Sequence, residues 1–152
     1  MALRPLQIYR RRLPHWRRDK AIYFVTWRMP TDQSPLSAQE RDSVAAALQR
    51  FSGERYDLLA YVIMNDHAHA LLQPYSDFPL DGIMHTWKSY TANVLQRAGR
   101  RGAVWQREYF DRIVRNEKEL DEKVQYILAN PYRRWPGIES YPWVWCRADL
   151  TE

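Results

Sequence analysis

The first hydrophobic stretch, Ala21 to Met29, is rich in β-branched and aromatic residues and predicts a strand. Pro30 to Pro35 breaks it as a loop. Ser37-Ala-Gln-Glu40 has the spacing of a capping box, in which hydroxyl and carboxylate satisfy each other's free amides. Val44, Ala47, Leu48 and Phe51 then follow at helical spacing, and Gly53 supplies a stop. Tyr56 to Met64 and His67 to Leu72 form two apolar runs around Asn65-Asp66, which predicts a hairpin, with loop from Pro74 to Pro79. Ile83, Trp87, Tyr90 and Val94 mark one face of a second helix that ends near Gly99. A fourth strand is expected over Ala103–Arg115, broken or bulged around Glu108. Asn116 and Glu119 fit a second capping box, opening a third helix with Leu120, Val124, Ile127 and Leu128 on its buried stripe. Pro131 is expected to end that helix. The segment 132–152 reads as an irregular tail.

The order β-α-β-β-α-β plus an extra helix predicts an α+β, ferredoxin-like antiparallel sheet, with two helices on one face and the other face free. The 152 residues are expected to form a single domain, preceded over 1–20 by a basic arm.

Charge narrows the class of partner. The net charge is +5 with a pI near 9.5, and 19 of the 23 basic residues are Arg, a side chain suited to bidentate phosphate contact. The candidates for contact with a nucleic-acid backbone are Arg10, Arg11 and Arg12 in the arm, with Lys88, Arg97, Arg100, Arg101, Arg107, Arg112, Arg133 and Arg134. Each also reads as ordinary surface charge, and the arm as a solvated tail. Cys146 is the lone cysteine, so no disulfide forms within the chain and a thiolate zinc site is excluded. No apolar run reaches the roughly 18 residues that span a membrane. A cytoplasmic, nucleoid-associated protein is expected.

The chemistry gathers around His67 and His69. Residues two apart on a strand share a face, so the imidazoles project side by side while Ala68 and Ala70 point the other way. Such a pair suits a metal, or is simply two half-buried polar residues. Asp66 competes as an oxygen ligand, although it sits in the turn; His85 reads as a surface or packing histidine. On the third helix the apolar stripe centres at about 25°, with Tyr126 at about 240° and Asn130 at about 280°. Both lie off the core face, one turn apart, and would meet the histidines if that helix crosses the open sheet. Two imidazoles and an amide oxygen suit Mg²⁺ or Mn²⁺ in the presence of phosphate. A tyrosine hydroxyl beside such a cation is placed to attack a phosphodiester.

Four runs carry a family resemblance. Tyr61-Val-Ile-Met-Asn-Asp-His67-Ala-His69 resembles the HUH motif of single-tyrosine transposases of small insertion sequences. Trp87-Lys-Ser-Tyr-Thr91, Trp105-Gln-Arg-Glu-Tyr-Phe-Asp111 and Tyr126-Ile-Leu-Ala-Asn-Pro131 are similar to that group's further motifs, in the same order. The resemblance is to its chromosomal branch, the IS200-like REP-associated tyrosine transposases, and runs from about Ile22 to Trp145. It implies a ferredoxin-like fold, Tyr126 as the nucleophile that takes a 5′ phosphate and frees a 3′-OH, and His67, His69 and Asn130 as metal ligands. The implied substrate is single-stranded DNA beside an imperfect palindromic hairpin, cut and rejoined by a monomer or homodimer. Two positions depart from the pattern. Asn65 replaces a frequent Pro, and Tyr132-Arg-Arg-Trp-Pro136 replaces a smaller segment, bringing bulky cations near the expected site. The alternative is a domesticated, non-mobile regulator that binds hairpin DNA without strand transfer. An RNA-recognition module fits less well, since its glycine- and aromatic-centred signature is absent. A replication initiator or relaxase of the same superfamily fits a chain of this length less well still.

Overall fold

A computed structural model describes residues 21–150. The basic arm, with Arg10, Arg11 and Arg12, lies outside the described residues. Five strands form one antiparallel sheet in the order β4-β1-β3-β2-β5: β1 (Ile22–Arg28), β2 (Tyr56–Ile63), β3 (His67–Pro74), β4 (Phe110–Val114) and β5 (Val144–Cys146). The first four strands take the ferredoxin-like order, and the α+β expectation stands, with one strand added beside β2.

Two hydrophobic cores lie on the two faces of this sheet. Helices α1 (Ala38–Arg50) and α2 (Leu80–Arg97) cover one face, where Trp27, Trp87, Tyr56, Leu48 and Leu58 are fully buried. Each such side chain contributes on the order of 2–3 kcal/mol by leaving water. Helix α3 (Glu117–Arg134) packs on the other face through Leu120, Val124 and Ile127, over Phe24, Leu59, Val62 and Leu71. It rests mainly on β2, β3 and β5. The same face at β4 carries less cover, with Phe110 and Arg112 exposed, and the sheet is open along that margin.

Strand β2 changes phase once. The register slips between Leu58 and Ala60, leaving Leu59 as an extra residue. Leu58 enters the α1–α2 core, Leu59 and Ala60 both enter the α3 core, and alternation resumes with Tyr61. The carbonyl of Leu59 accepts the amide of Arg147, just beyond β5 (2.9 Å).

The capping box of α1 forms as expected, with Ser37 and Glu40 bonded reciprocally. At α3 only half of one forms. Asn116 accepts from the Glu119 amide, but the Glu119 carboxylate turns to the Arg115 amide. Four other expectations need correction. The strand expected over Ala103–Arg115 is confined to Phe110–Val114. Before it, Trp105 is buried against Trp27 and donates from Nε1 to Thr91 Oγ1 (2.8 Å), so residues 103–109 run along α2 and meet β1 where the Gln106 amide donates to the Arg28 carbonyl (2.7 Å). Pro131 does not stop α3, which runs one further turn to Arg134. A proline this close to the C-terminus removes one hydrogen bond, while its buried ring and its carbonyl, which accepts from the Trp135 amide, hold the last turn. The buried stripe of α2 is Ile83, Met84, Trp87, Thr91 and Leu95, and Tyr90 is exposed. The tail is not wholly irregular, since it contributes β5 and a short 3-10 helix at Ala148–Leu150. It is tied down where Tyr141 donates to the Ile63 carbonyl (2.6 Å) and Arg41 lies over the Trp143 ring. No helix of the described residues is long and apolar enough to cross a membrane.

Candidate active site on the α3 face

His67 and His69 project from β3 onto the face that α3 crosses, and their rings meet edge to face with centroids 4.9 Å apart. Tyr126, one helix face away from the core stripe, brings its ring to 5.3 Å from His69 and 5.9 Å from Phe24. The histidines and the tyrosine of one chain therefore share one site. Asn130 stands one turn beyond Tyr126, half-buried.

Each imidazole has one nitrogen engaged. Asp66 Oδ1 lies 2.6 Å from Nδ1 of His67. A carboxylate only accepts, so Nδ1 carries the proton and the lone pair of His67 sits on Nε2. Thr26, buried on β1 directly opposite His69, places its hydroxyl 2.7 Å from Nδ1 of His69. In the tautomer whose Nδ1–H donates to that hydroxyl, Nε2 of His69 keeps its lone pair. That Nε2 is buried and has no hydrogen-bond partner. An unsatisfied buried polar atom costs about 1–3 kcal/mol, which a bound electrophile would offset. Burial pushes the His69 pKa down to about 3, helped by the nearby His67, Arg28 and Lys123. Burial also lowers that of His67, against the opposing pull of Asp66. Both rings are then neutral near pH 7, as metal ligation requires. Among the described residues no cluster of three or more His, Cys, Asp or Glu forms a metal cage. A cation here would take two imidazoles and neutral oxygen donors, a set that suits a divalent ion.

Cations surround the pair. Arg28 is paired across the sheet with His67 and exposed, and Arg112 is paired with Phe24. Lys123 lies over the Phe24 ring at 4.8 Å. Arg133 lies over the Tyr126 ring at 4.9 Å, and the charge of Arg134 reaches His67. Sequence reasoning named Arg112, Arg133 and Arg134 but missed Arg28, Lys123 and Thr26. Cross-strand register alone could have found Arg28 and Thr26, and helical spacing from Tyr126 could have found Lys123.

The remaining basic candidates lie elsewhere. Lys88 and Arg107 line a cavity of about 580 Å³ between α2 and residues 103–109, with His85 beside them. Lys88 donates to the Arg107 carbonyl (2.7 Å). Arg97 and Arg101 are exposed near the end of α2. Arg100 is committed to the fold. Its guanidinium donates to both carboxylate oxygens of Glu40 (2.6 and 2.8 Å), to Gln33 Oε1 and to the carbonyls of Ser34 and Pro35.

Residues 19–130 match the family model of IS200-like transposases. Among solved structures, the fold resembles that of a REP-associated tyrosine transposase bound to a REP hairpin. The identity is 18% and the TM-score 0.69, over 87% of this chain and 82% of that one. It also resembles a candidate transposase of Deinococcus radiodurans R1, at 20% identity and a TM-score of 0.55, over 72% of this chain and 89% of that one. At these identities both are likenesses of fold. No functionally curated protein matches the chain.

Proposed function

The chain belongs to the IS200-like transposase family, and from that premise we propose that it cuts and rejoins single-stranded DNA beside imperfect palindromic hairpins, through a 5′-phosphotyrosine on Tyr126. The observation that carries this reading is the placement of Tyr126 against His69 within one chain, with His69 Nε2 buried and unpartnered. In the forward step the Tyr126 oxygen attacks phosphorus and gives up its proton to solvent. The bond from phosphorus to the 3′ oxygen breaks, and the departing strand leaves as a 3′-OH once that oxygen takes up a proton. The reverse attack, by a 3′-OH on the phosphotyrosine, rejoins DNA and restores the phenol.

His67, His69 and Asn130 would hold a divalent cation, Mg²⁺ or Mn²⁺. Such an ion supplies Lewis acidity toward a phosphodiester and fixes its orientation. Asp66 and Thr26 hold the imidazoles so that both Nε2 atoms are presented together. Arg28, Lys123, Arg112, Arg133 and Arg134 neutralise and orient the strand's phosphates. The fold relative bound to a REP hairpin supports a hairpin as the structure recognised, and placement in the REP-associated branch. The contact of Tyr126 with His69 within one chain supports cleavage by a monomer.

The second reading, a hairpin-binding regulator without strand transfer, draws on Arg133 lying over the nucleophile's ring. Labelled hairpin oligonucleotides with Mg²⁺ or Mn²⁺ separate the two. A protein–DNA adduct on a denaturing gel is expected. Salt-sensitive binding with no adduct under any divalent ion would replace the first reading with the second.

A further inference from the structure

Phe110 is the most exposed large hydrophobic side chain among the described residues, at 60%. It opens β4, opposite Thr26 on β1, and opposite residues of an antiparallel pair point to the same face. Thr26 is in turn opposite His69 and bonded to it. One row across the sheet therefore reads His69, Thr26, Phe110. With strands roughly 4.8 Å apart, Phe110 stands about 10 Å from His69, a gap that a neighbouring nucleotide's sugar and base can bridge. The rows on either side carry Arg28 beside His67 and Arg112 beside Phe24, on the same face. Helix α3 rests on β2, β3 and β5, so nothing in the fold requires an aromatic ring on this margin.

We infer that Phe110 is a stacking platform for an unpaired nucleobase adjacent to the phosphate that Tyr126 attacks. The inference rests on the proposed single-stranded DNA substrate and adds the site that receives a base. A ring flanked by two guanidinium groups fits a base whose own phosphates need neutralising, and stacking on it tolerates any base. A second copy of this chain fits less well, because the same face would set Arg28, Arg112 and Lys123 against their own kind.

The test uses the full-length protein without metal, so that cleavage plays no part, and hairpin-flanked oligonucleotides carrying an abasic site at either nucleotide next to the cut. Phe110→Ala should weaken binding of the intact strand about tenfold, and Phe110→Trp should retain it. One abasic position should cost the wild type a similar factor and cost Phe110→Ala nothing more. Unchanged melting temperatures would show that both variants are folded. Full affinity in Phe110→Ala, or equal losses for both proteins at both abasic positions, would overturn the platform while leaving the proposed function standing. A change of sedimentation mass in Phe110→Ala with affinity unchanged would overturn it in favour of self-association. A wild type that binds no hairpin-flanked single strand would overturn the platform and the proposed substrate together.

Discussion

Tyr126 and His69 meet edge to face, 5.3 Å between ring centroids, one from the outer side of α3 and the other from the middle of the sheet. If Tyr126 is the nucleophile, Tyr126→Phe removes one oxygen and leaves that packing in place. The variant should lose the covalent DNA adduct entirely and bind the hairpin within about twofold of the wild type. An adduct that persists on a denaturing gel would remove Tyr126 from the role.

Thr26 holds His69 from the far side of the ring. Thr26→Val keeps the shape but leaves Nδ1 of His69 without a partner. Mn²⁺ affinity, followed by calorimetry, should fall by about 10- to 100-fold, and Thr26→Ser should restore it. Equal affinity in Thr26→Val would show that the hydroxyl does not govern the imidazole.

Arg133 and Arg100 should behave oppositely despite carrying the same charge. Arg133 is exposed beside Tyr126, and Arg133→Ala should lower the slope of log K against log salt for hairpin DNA by about 1. Arg100→Ala should leave the slope unchanged and destabilise the fold by about 2–3 kcal/mol, since it strips charged hydrogen bonds from Glu40 and from Gln33, Ser34 and Pro35. Urea melts and salt titrations of the two variants distinguish these outcomes.

The same ion pair sets a pH dependence. The Arg100 guanidinium holds the Glu40 carboxyl down from 4.5 to about 2. The folded value lies below the unfolded one, so Glu40 contributes full stability above about pH 4.5 and loses it as pH falls toward 2. Wild-type melting temperature should decline across that window, and Glu40→Gln should flatten the decline. An unchanged acid slope in Glu40→Gln would assign the loss to other groups.

Much of the candidate site's arrangement was legible in the chain because its signals are local. The two-residue spacing of the histidines fixes a common face, and Tyr126 and Asn130 are separated by one helical turn. The Ser37 box is likewise a four-residue matter. What escaped was set by partners far away in sequence. Trp105 is diverted from the sheet by Thr91 and Trp27, and no alternation pattern records that. Thr26 and Arg28 join the histidines only through the β1–β3 register. Val144–Cys146 is too short to announce a strand, and pairing with β2 creates it. Pro131 misled for a different reason: proline's veto on helix is weakest within the last turn, where few hydrogen bonds remain to lose.

The extra residue in β2 gives the sheet a reading frame. Leu58 and Ala60 pair with Leu72 and Leu71, which are consecutive on β3. Removing Leu59 alone would therefore leave both halves of β2 in phase with their cores, whereas removing any single residue between Tyr61 and Ile63 would turn part of the strand inside out. The frame carries a second obligation, because the Leu59 carbonyl is the hook for Arg147. A one-residue deletion at Leu59 would pass through the sheet silently and surface at the chain's far end, as a loosened C-terminal segment.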